Sequence, residues 1–286
     1  MSLWLDLLGA EIRFVETPSF GKIRIAEAGR GKEPLFFLHG IGGHLEAYAK
    51  NVVPLSDRFH TIAFDYVGHG LSEKRVLDYT PHLLVDQLSE LMAVLGIQRA
   101  NLSGESLGGW VTGLFAVRYP ERVQRIMLNT AGGIPILTEK GRADLENLKT
   151  LSQKSAGQAP TYESVKARME WLIHPNNHHL LNEELIRTRL HFYTRPGMRE
   201  VAPKVLQIIP RHDEFLIPLA EIRAETIFLW TLDNPVHDVE SARQACAKVE
   251  HGQLYVMKGD SAHWPQYEQA EEWNDVTRKF FTTGKV

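Results

Sequence analysis

A repeated alternation of short apolar segments with longer amphipathic ones constrains the fold of this chain more than any other feature of its sequence. Short, mostly apolar segments begin at Pro34, His60, Arg99 and Arg125. Such segments are typical of strands that are buried on both faces of a sheet. Residues 81–95 carry apolar side chains three and four positions apart and end before Gly96, which predicts a helix. The alternation therefore predicts an α/β fold with a mostly parallel sheet flanked by crossover helices.

Two other regions complete the predicted organisation. Residues 11–16 and 22–28 alternate polar and apolar side chains, which predicts a half-exposed antiparallel pair of strands. Between about Ile134 and Leu216 the strand patterns disappear, and three helical patterns are separated by prolines. The α/β alternation then resumes. We therefore expect a core of residues 1–133 and 217–286, with residues 134–216 inserted as a helical lid.

Charge and hydropathy narrow the classes of partner. The 286 residues carry a formal net charge of −3 and no basic stripe, so nucleic acid is not expected as a partner. No apolar stretch approaches the roughly 20 residues that span a membrane. The first residues lack the basic region of a signal peptide. We expect a cytoplasmic protein that acts on a small molecule.

A serine between glycines marks the strongest candidate for chemistry. Ser106 stands in the sequence G-E-S-L-G, between a predicted strand that begins at Arg99 and a predicted helix that follows Gly109. A tight strand-to-helix turn exposes such a serine above the sheet, and it requires small residues at Gly104 and Gly108. The position predicts that Ser106 is a nucleophile.

A serine hydroxyl needs a base, and His263 is the predicted one. His263 follows the last predicted strand, so it lies on a loop at the carboxyl edge of the sheet. The order serine, acid, histidine along the chain is typical of one class of serine hydrolases. The adjacent His178 and His179 invite a metal site, but neighbouring side chains on a helix point apart, and no metal is expected there.

A glycine-rich loop after a buried strand predicts an oxyanion hole. The backbone N–H groups of Ile41 and of Leu107, the residue after the serine, are the expected donors. Gly40 and Gly42 allow that loop to approach a substrate closely. The loop lacks the Lys-Ser/Thr end of a phosphate-binding loop, so no nucleotide is expected.

The motifs together resemble those of the α/β-hydrolases over nearly the whole chain. They are H-G-I-G-G at residues 39–43, D-Y-V-G-H-G-L-S at 65–72, G-E-S-L-G-G at 104–109 and A-H-W-P-Q-Y-E at 262–268. Within that superfamily the chain most resembles the meta-cleavage product hydrolases, which split carbon–carbon bonds of 2-hydroxy-6-oxo-hexadienoates. Trp264 directly after His263, and Arg189 in the predicted lid, carry that resemblance, which implies that both lie near the substrate.

Two positions depart from the pattern of that family. The residue before the nucleophile is usually asparagine there, but here it is Glu105, a carboxylate that repels an anionic substrate unless it is protonated or paired. The family's usual position for the acid holds Asn234 in this chain. We expect Asp233 to support the histidine, with Asp238 and Asn234 as the alternatives. Asp238 directly precedes a predicted helix, where an aspartate usually caps the helix.

The resemblance implies a serine-dependent hydrolase of a small, largely apolar carbonyl compound, with carbon–carbon cleavage as the first hypothesis. It implies no cofactor and is compatible with a homodimer. A carboxylesterase or lactonase is the alternative within the enzymes. A ligand receptor on a hydrolase fold is the alternative outside them.

Overall fold

The structure, a computed structural model, describes residues 2–156 and 158–286, without the side chains of residues 153–156. Its strands are β1 (Glu11–Thr17), β2 (Gly21–Ala28), β3 (Glu33–Leu38), β4 (Phe59–Phe64), β5 (Ala100–Glu105), β6 (Val123–Asn129), β7 (Glu225–Trp230) and β8 (Gly252–Val256). They form one sheet in the order β1-β2-β4-β3-β5-β6-β7-β8. The pairs β1–β2 and β2–β4 are antiparallel, and every other pair is parallel. The predicted α/β class and the antiparallel pair at the start are confirmed.

Helices surround this sheet. They are α1 (Leu3–Asp6), α2 (Ala49–Val52), α3 (Pro81–Val94), α4 (Leu107–Arg118), α5 (Glu139–Ala156), α6 (Tyr162–Leu172), α7 (Glu183–Tyr193), α8 (Met198–Leu206), α9 (Val239–Cys246), α10 (Pro265–Glu268) and α11 (Ala270–Thr283). The helix predicted for residues 81–95 is α3. The Thr80 side chain accepts from the Leu83 N–H at its start, and Gly96 follows its end with φ of +71°.

The sheet separates two apolar cores. Along β3, Phe36 and Leu38 face one core, and Leu35 and Phe37 face the other, because successive side chains of a strand point to opposite faces. The first core includes residues of α3, α4 and α9, and the second includes residues of α2, α6, α7 and α11. Burial on both faces explains why the central strands are almost wholly apolar.

The segment between β6 and β7 is helical. It contains α5, α6, α7 and α8, and no strand among the residues that the structure describes. The helix α8 was not predicted, since Pro203 lies inside it and Gly197 precedes it with φ of +85°. The division into a core and an inserted lid at residues 134–216 stays a prediction. In the described parts of the chain, no helix combines the length and the apolar character needed to cross a bilayer.

Parallel strands bring distant parts of the chain to one edge. The strands β3, β5, β6, β7 and β8 run in the same direction, so the loops after them meet at their carboxyl ends. Ligands of open α/β sheets bind at that edge. Ser106 follows β5, and the loops after β7 and β8 contain Asn234 and His263.

Candidate active site

The turn between β5 and α4 holds Ser106 in a strained conformation. Its φ of 55° and ψ of −116° lie in a region that residues with a side chain rarely adopt. A side chain at Gly104 would collide with the backbone of Gly108, and one at Gly108 would collide with the Leu38 carbonyl. The turn therefore requires both glycines, as predicted, and it turns Ser106 toward the cavity at the sheet edge.

The loop after β8 holds His263 in the same cavity. The His263 backbone N–H donates to the Leu172 carbonyl at 2.9 Å, and the Thr130 hydroxyl donates to the His263 carbonyl at 3.0 Å. The buried Glu268 carboxylate accepts from the N–H groups of Ala262 at 2.9 Å and Trp264 at 3.1 Å. These bonds fix the backbone on both sides of the imidazole. Ser106 and His263 both line the cavity, although no hydrogen bond joins them within the described residues.

The residue that supports the histidine is Asn234, and the expectation for Asp233 is wrong. His263 Nδ1 donates to Asn234 Oδ1 at 2.6 Å, while the amide nitrogen of Asn234 donates to the His237 carbonyl. That second bond fixes the amide, so its oxygen faces the imidazole and Nδ1 carries the proton. The Asp233 side chain is 61% exposed and lies 3.5 Å from the His174 ring. Adjacent residues of this turn point to opposite sides, inward for Asn234 and outward for Asp233.

Asp238 caps a helix. Its side chain accepts from the Ser241 N–H at 2.8 Å at the start of α9, and it also bonds the Thr138 hydroxyl. This is the role that the sequence predicted for it, and it leaves Asp238 without a contact to His263.

Glu105 is a buried member of the site. Its side chain is 1% exposed, and its Oε2 accepts from the Gly40 N–H at 2.7 Å. Its Oε1 lies 3.1 Å from His263 Nε2, the ring nitrogen opposite the one that Asn234 holds. The carboxyl group therefore joins the glycine loop to the imidazole.

Burial keeps both members of this pair neutral near pH 7. It raises the pKa of Glu105 to about 8, although the Gly40 hydrogen bond and the charge of Arg189 oppose the rise. Burial, helped by the positive charge of Arg168, lowers the pKa of His263 to about 3. Near pH 7, Glu105 is therefore a carboxylic acid beside a neutral imidazole.

The two predicted oxyanion donors lie at the cavity. Ile41 and Leu107 both line it, and neither backbone N–H has a hydrogen-bond acceptor among the described residues. Leu107 is the first residue of α4, where N–H groups have no partner inside the helix. The two N–H groups are therefore free to bind a developing oxyanion.

The backbone groups of the two glycines in this loop form hydrogen bonds with other parts of the protein. Gly40 lines the cavity, but Glu105 occupies its N–H. Gly42 lies outside the cavity lining, with φ of +64°, and its carbonyl accepts from the Tyr193 hydroxyl at 2.7 Å. Contact between Gly42 and a substrate therefore stays a prediction, and the hydrogen bond shows that Gly42 joins the loop to α7.

Arg189 and Trp264 lie together at the cavity wall. The guanidinium of Arg189 stacks over the Trp264 ring, 5.2 Å from its centroid, and its Nε donates to the Tyr193 hydroxyl at 2.8 Å. The Arg189 side chain is buried, yet its Nη1 has no hydrogen-bond partner among the described residues. A buried, unpaired guanidinium nitrogen is a site for a carboxylate.

Several cavity residues were not predicted from the sequence. They are Trp110, Arg168, Trp171, His212 and His237. The Nε2 atoms of His212 and His237 lie 3.2 Å apart, and Asp213 contacts His212 Nδ1 at 3.0 Å. These residues come from α4, from α6 and from two separate loops. Only His237 stands close in the sequence to a loop residue that was considered for the site, three positions after Asn234.

The adjacent histidines lie on a short 3-10 helix, Pro175–Leu180. The His178 ring contacts the backbone carbonyls of Glu170 and Ile173, and the His179 ring contacts that of Asn176. Both imidazoles therefore interact with backbone oxygen atoms.

Comparison with known proteins gives a family and a relative. The sequence profile of the alpha/beta hydrolase fold family matches residues 33–270. A 2-hydroxy-6-oxononadienedioate/2-hydroxy-6-oxononatrienedioate hydrolase of Escherichia coli K12 is 26% identical over 283 residues. The alignment covers 95% of this chain and 96% of the relative. The similarity therefore extends through the helical segment as well as the sheet.

Solved structures share the fold. A meta-cleavage product hydrolase from Pseudomonas fluorescens IP01 superposes with a TM-score of 0.79 at 23% identity, covering 96% of this chain and 98% of the other. A thermophilic esterase from Thermogutta terrifontis superposes with a TM-score of 0.77 at 20% identity, covering 97% of this chain and 100% of the other. Because carbon–carbon hydrolases and esterases share this architecture, the fold alone does not choose between the two reactions.

Proposed function

Because this chain belongs to the alpha/beta hydrolase fold family, we propose that it hydrolyses a carbon–carbon bond of a 2-hydroxy-6-oxo-dienoate, a meta-cleavage product, with Ser106 as the nucleophile. The observation that carries this proposal is the unpaired Nη1 of the buried Arg189, in the same cavity as Ser106 and His263. A dienoate brings a carboxylate that this nitrogen can bind. The named activity of the Escherichia coli relative supports the same reaction class.

The proposed mechanism uses three parts of the site. In the carbon–carbon reaction, the dienolate form of the substrate first takes up a proton at carbon and becomes a ketone, with His263 taking part in the proton transfer. Ser106 then attacks the 6-oxo carbonyl while His263 Nε2 accepts its proton. The N–H groups of Ile41 and Leu107 bind the oxyanion, which contributes on the order of 3 kcal/mol per donor. Collapse of the oxyanion then breaks the carbon–carbon bond, and the leaving carbon takes the proton from His263. Water finally hydrolyses the Ser106 ester and releases the carboxylic acid.

The residues that line the cavity favour a substrate with one charged end. Apolar side chains of Leu145, Leu148, Ile208 and Ile209 line one part of the cavity, and Arg189 lines another. In this proposal the carboxylate binds Arg189 beside Trp264, and the apolar part holds the group on the 6-oxo carbon.

An ester or lactone is the second candidate substrate. The observation that favours it is the carboxyl group of Glu105 inside the cavity, because its ionised form repels the carboxylate of a dienoate but not a neutral ester. The structural likeness to an esterase is compatible with this alternative.

Two absorbance assays separate the candidates. The proposal predicts that the visible absorbance of a 2-hydroxy-6-oxo-dienoate disappears on addition of the enzyme, with a kcat/KM well above that for short p-nitrophenyl esters. An enzyme that turns over the esters rapidly and leaves dienoates untouched contradicts the carbon–carbon proposal. A protein that binds a dienoate unchanged, and whose Ser106→Ala variant binds it equally, is instead the receptor.

A further inference from the structure

The histidine of this site has no anionic partner where serine hydrolases commonly hold one. In a serine triad, a carboxylate at Nδ1 orients the imidazole and stabilises the imidazolium that forms when serine loses its proton. Here Nδ1 faces Asn234, whose amide oxygen orients the ring but carries no charge. The positive charge of Arg168 further opposes protonation of His263. The charge needed to stabilise an imidazolium must therefore come from another side of the ring.

Glu105 is placed to supply that charge. Its Oε1 lies 3.1 Å from His263 Nε2, within reach of a direct proton transfer. Its other oxygen is tied to the Gly40 N–H, so the carboxyl group is held in place. Glu105 is also the last residue of β5, a rigid central strand, directly before Ser106.

We propose that Glu105 is the carboxylate partner of His263, which holds the transferable proton of the site at rest and stabilises the imidazolium during serine attack. The site thus takes its acid from the position before the nucleophile and not from the loop after β7. This inference applies to ester and carbon–carbon substrates alike, and only the ketonisation step below rests on the proposed function.

The proton can be followed through both steps. At rest, Nδ1–H donates to Asn234, and the Glu105 hydroxyl faces the Nε2 lone pair. With a dienolate, the O–H bond of Glu105 breaks as Nε2 takes its proton, and the new N–H bond then breaks as a C–H bond forms and the dienolate becomes a ketone. Glu105 is then a carboxylate beside a neutral imidazole. The Ser106 O–H bond next breaks as its oxygen attacks the carbonyl, and Nε2 takes that proton as an imidazolium beside the Glu105 carboxylate.

The other groups that face this pair come from five elements. They are Arg168 of α6, Arg189 of α7, His237 of the loop after β7, Tyr48 of the 3-10 helix Leu45–Tyr48 and Tyr66 of the loop after β4. Burial and the charge of Glu105 raise the pKa values of the two phenols. The two arginines are the only charged groups among these at neutral pH. Arg189 favours an ionised Glu105 once its proton has left, whereas Arg168 opposes protonation of His263, so the imidazolium depends on the Glu105 carboxylate for its stabilisation.

The two substrate classes predict opposite pH profiles. A dienoate needs protonated Glu105, so kcat/KM falls as the pH rises through about 8. An ester needs ionised Glu105, so kcat/KM rises through the same pH. The wild-type enzyme alone gives this measurement, on whichever substrate it turns over. A flat profile between pH 7 and 9 overturns the proposal even if no variant folds, whereas inert dienoates overturn only the proposed function.

Three variants test the partnership directly. Glu105→Gln keeps both hydrogen bonds, because its amide donates to Nε2 and its oxygen accepts from Gly40, but it holds no transferable proton. We expect kcat/KM to fall at least about 100-fold and the inflection near pH 8 to disappear. Asn234→Asp alone should change kcat/KM less than about tenfold. The double variant, which returns a carboxylate to Nδ1, should recover at least about tenfold over Glu105→Gln.

The experiment has one control variant and two outcomes that would overturn the proposal. Glu16→Gln, on the exposed face of β1, should leave kcat/KM unchanged, and circular dichroism checks that each variant folds. A Glu105→Gln enzyme with more than half of the wild-type activity overturns the proposal. A double variant no more active than Glu105→Gln overturns it as well, since the loss then has another origin.

Discussion

The sheet edge and the helical segment contribute to the cavity in different ways. The sheet edge supplies Ser106, Glu105 and the free N–H groups of Ile41 and Leu107 through a strained turn and close backbone contacts. The helical segment supplies Arg168, Arg189 and apolar side chains from separate helices. In the proposed mechanism, the reaction therefore depends on backbone geometry at the sheet, whereas the choice of substrate depends on side chains that the helices carry.

The strongest test of this division is removal of the nucleophile. Ser106→Ala should lower kcat by at least about 10⁴-fold with little change in substrate affinity, because the hydroxyl forms the covalent bond and the binding groups remain. Single-turnover absorbance measurements and equilibrium binding give the two quantities. Retention of more than a tenth of the rate would place the chemistry somewhere other than the sheet edge.

The second-largest effect is expected on the free energy of unfolding, and it arises from Glu105 at the sheet edge. The pKa of Glu105 rises from 4.5 to about 8 in the folded protein, so the contribution of Glu105 to stability is progressively lost as the pH rises from about 4.5 to about 8. That shift corresponds to on the order of 5 kcal/mol. Glu105→Gln stays neutral and should be more stable than the wild type at pH 9, and equally stable at pH 4. Urea denaturation at both pH values measures the difference, and equal curves at pH 9 would contradict it.

A substitution on the helical side should separate the substrates. Arg189→Gln removes the guanidinium and should lower kcat/KM for a dienoate about 100-fold, through loss of a charge-assisted hydrogen bond of about 3 kcal/mol. A neutral p-nitrophenyl ester has no carboxylate to bind, so its kcat/KM should fall much less, only by the small loss expected from removing a charge that favours ionised Glu105. Arg187→Gln is the matched control, because that side chain is exposed on the same helix and pairs with Glu183. Equal losses on both substrates would show that Arg189 supports the fold and not the choice of substrate.

The smallest effect is expected for the acid that the sequence favoured. Asp233→Asn should change kcat/KM less than about twofold, because its exposed carboxylate does not contact His263. Because Asp233 directly precedes Asn234 on the loop after β7, this variant also tests the role assigned to Asn234. A loss above tenfold in Asp233→Asn would restore the conventional acid and weaken the case for Glu105.

How far the sequence predicts this molecule depends on how local each signal is. The strand, the tight turn and the helix around Ser106 could be predicted, because the glycines that the turn requires all lie within six residues of the chain. The support for His263 was not, because the loop after β7 has to turn Asn234 inward. That turn includes Val236 with φ of +71°, a conformation that a β-branched residue rarely adopts. No residue type in the loop indicates that Asn234 turns inward.

The cavity walls show the same limit. Arg189 was found through a family resemblance, but Arg168, His212 and His237 reach the cavity only through the packing of separate elements. The contact between Glu105 and His263 could not be predicted either, since His263 is 158 positions further along the chain. Local pattern predicts the elements, and tertiary packing decides which side chains meet.

Covalent labelling tests the central claim, that Ser106 at the sheet edge is the nucleophile. The enzyme is treated with a fluorophosphonate, which reacts with activated serines, and the adduct is located by peptide mass spectrometry. The account predicts stoichiometric labelling of Ser106 and none in the Ser106→Ala variant. Labelling at another residue, or an unmodified Ser106 in an enzyme that still turns over substrate, would contradict it.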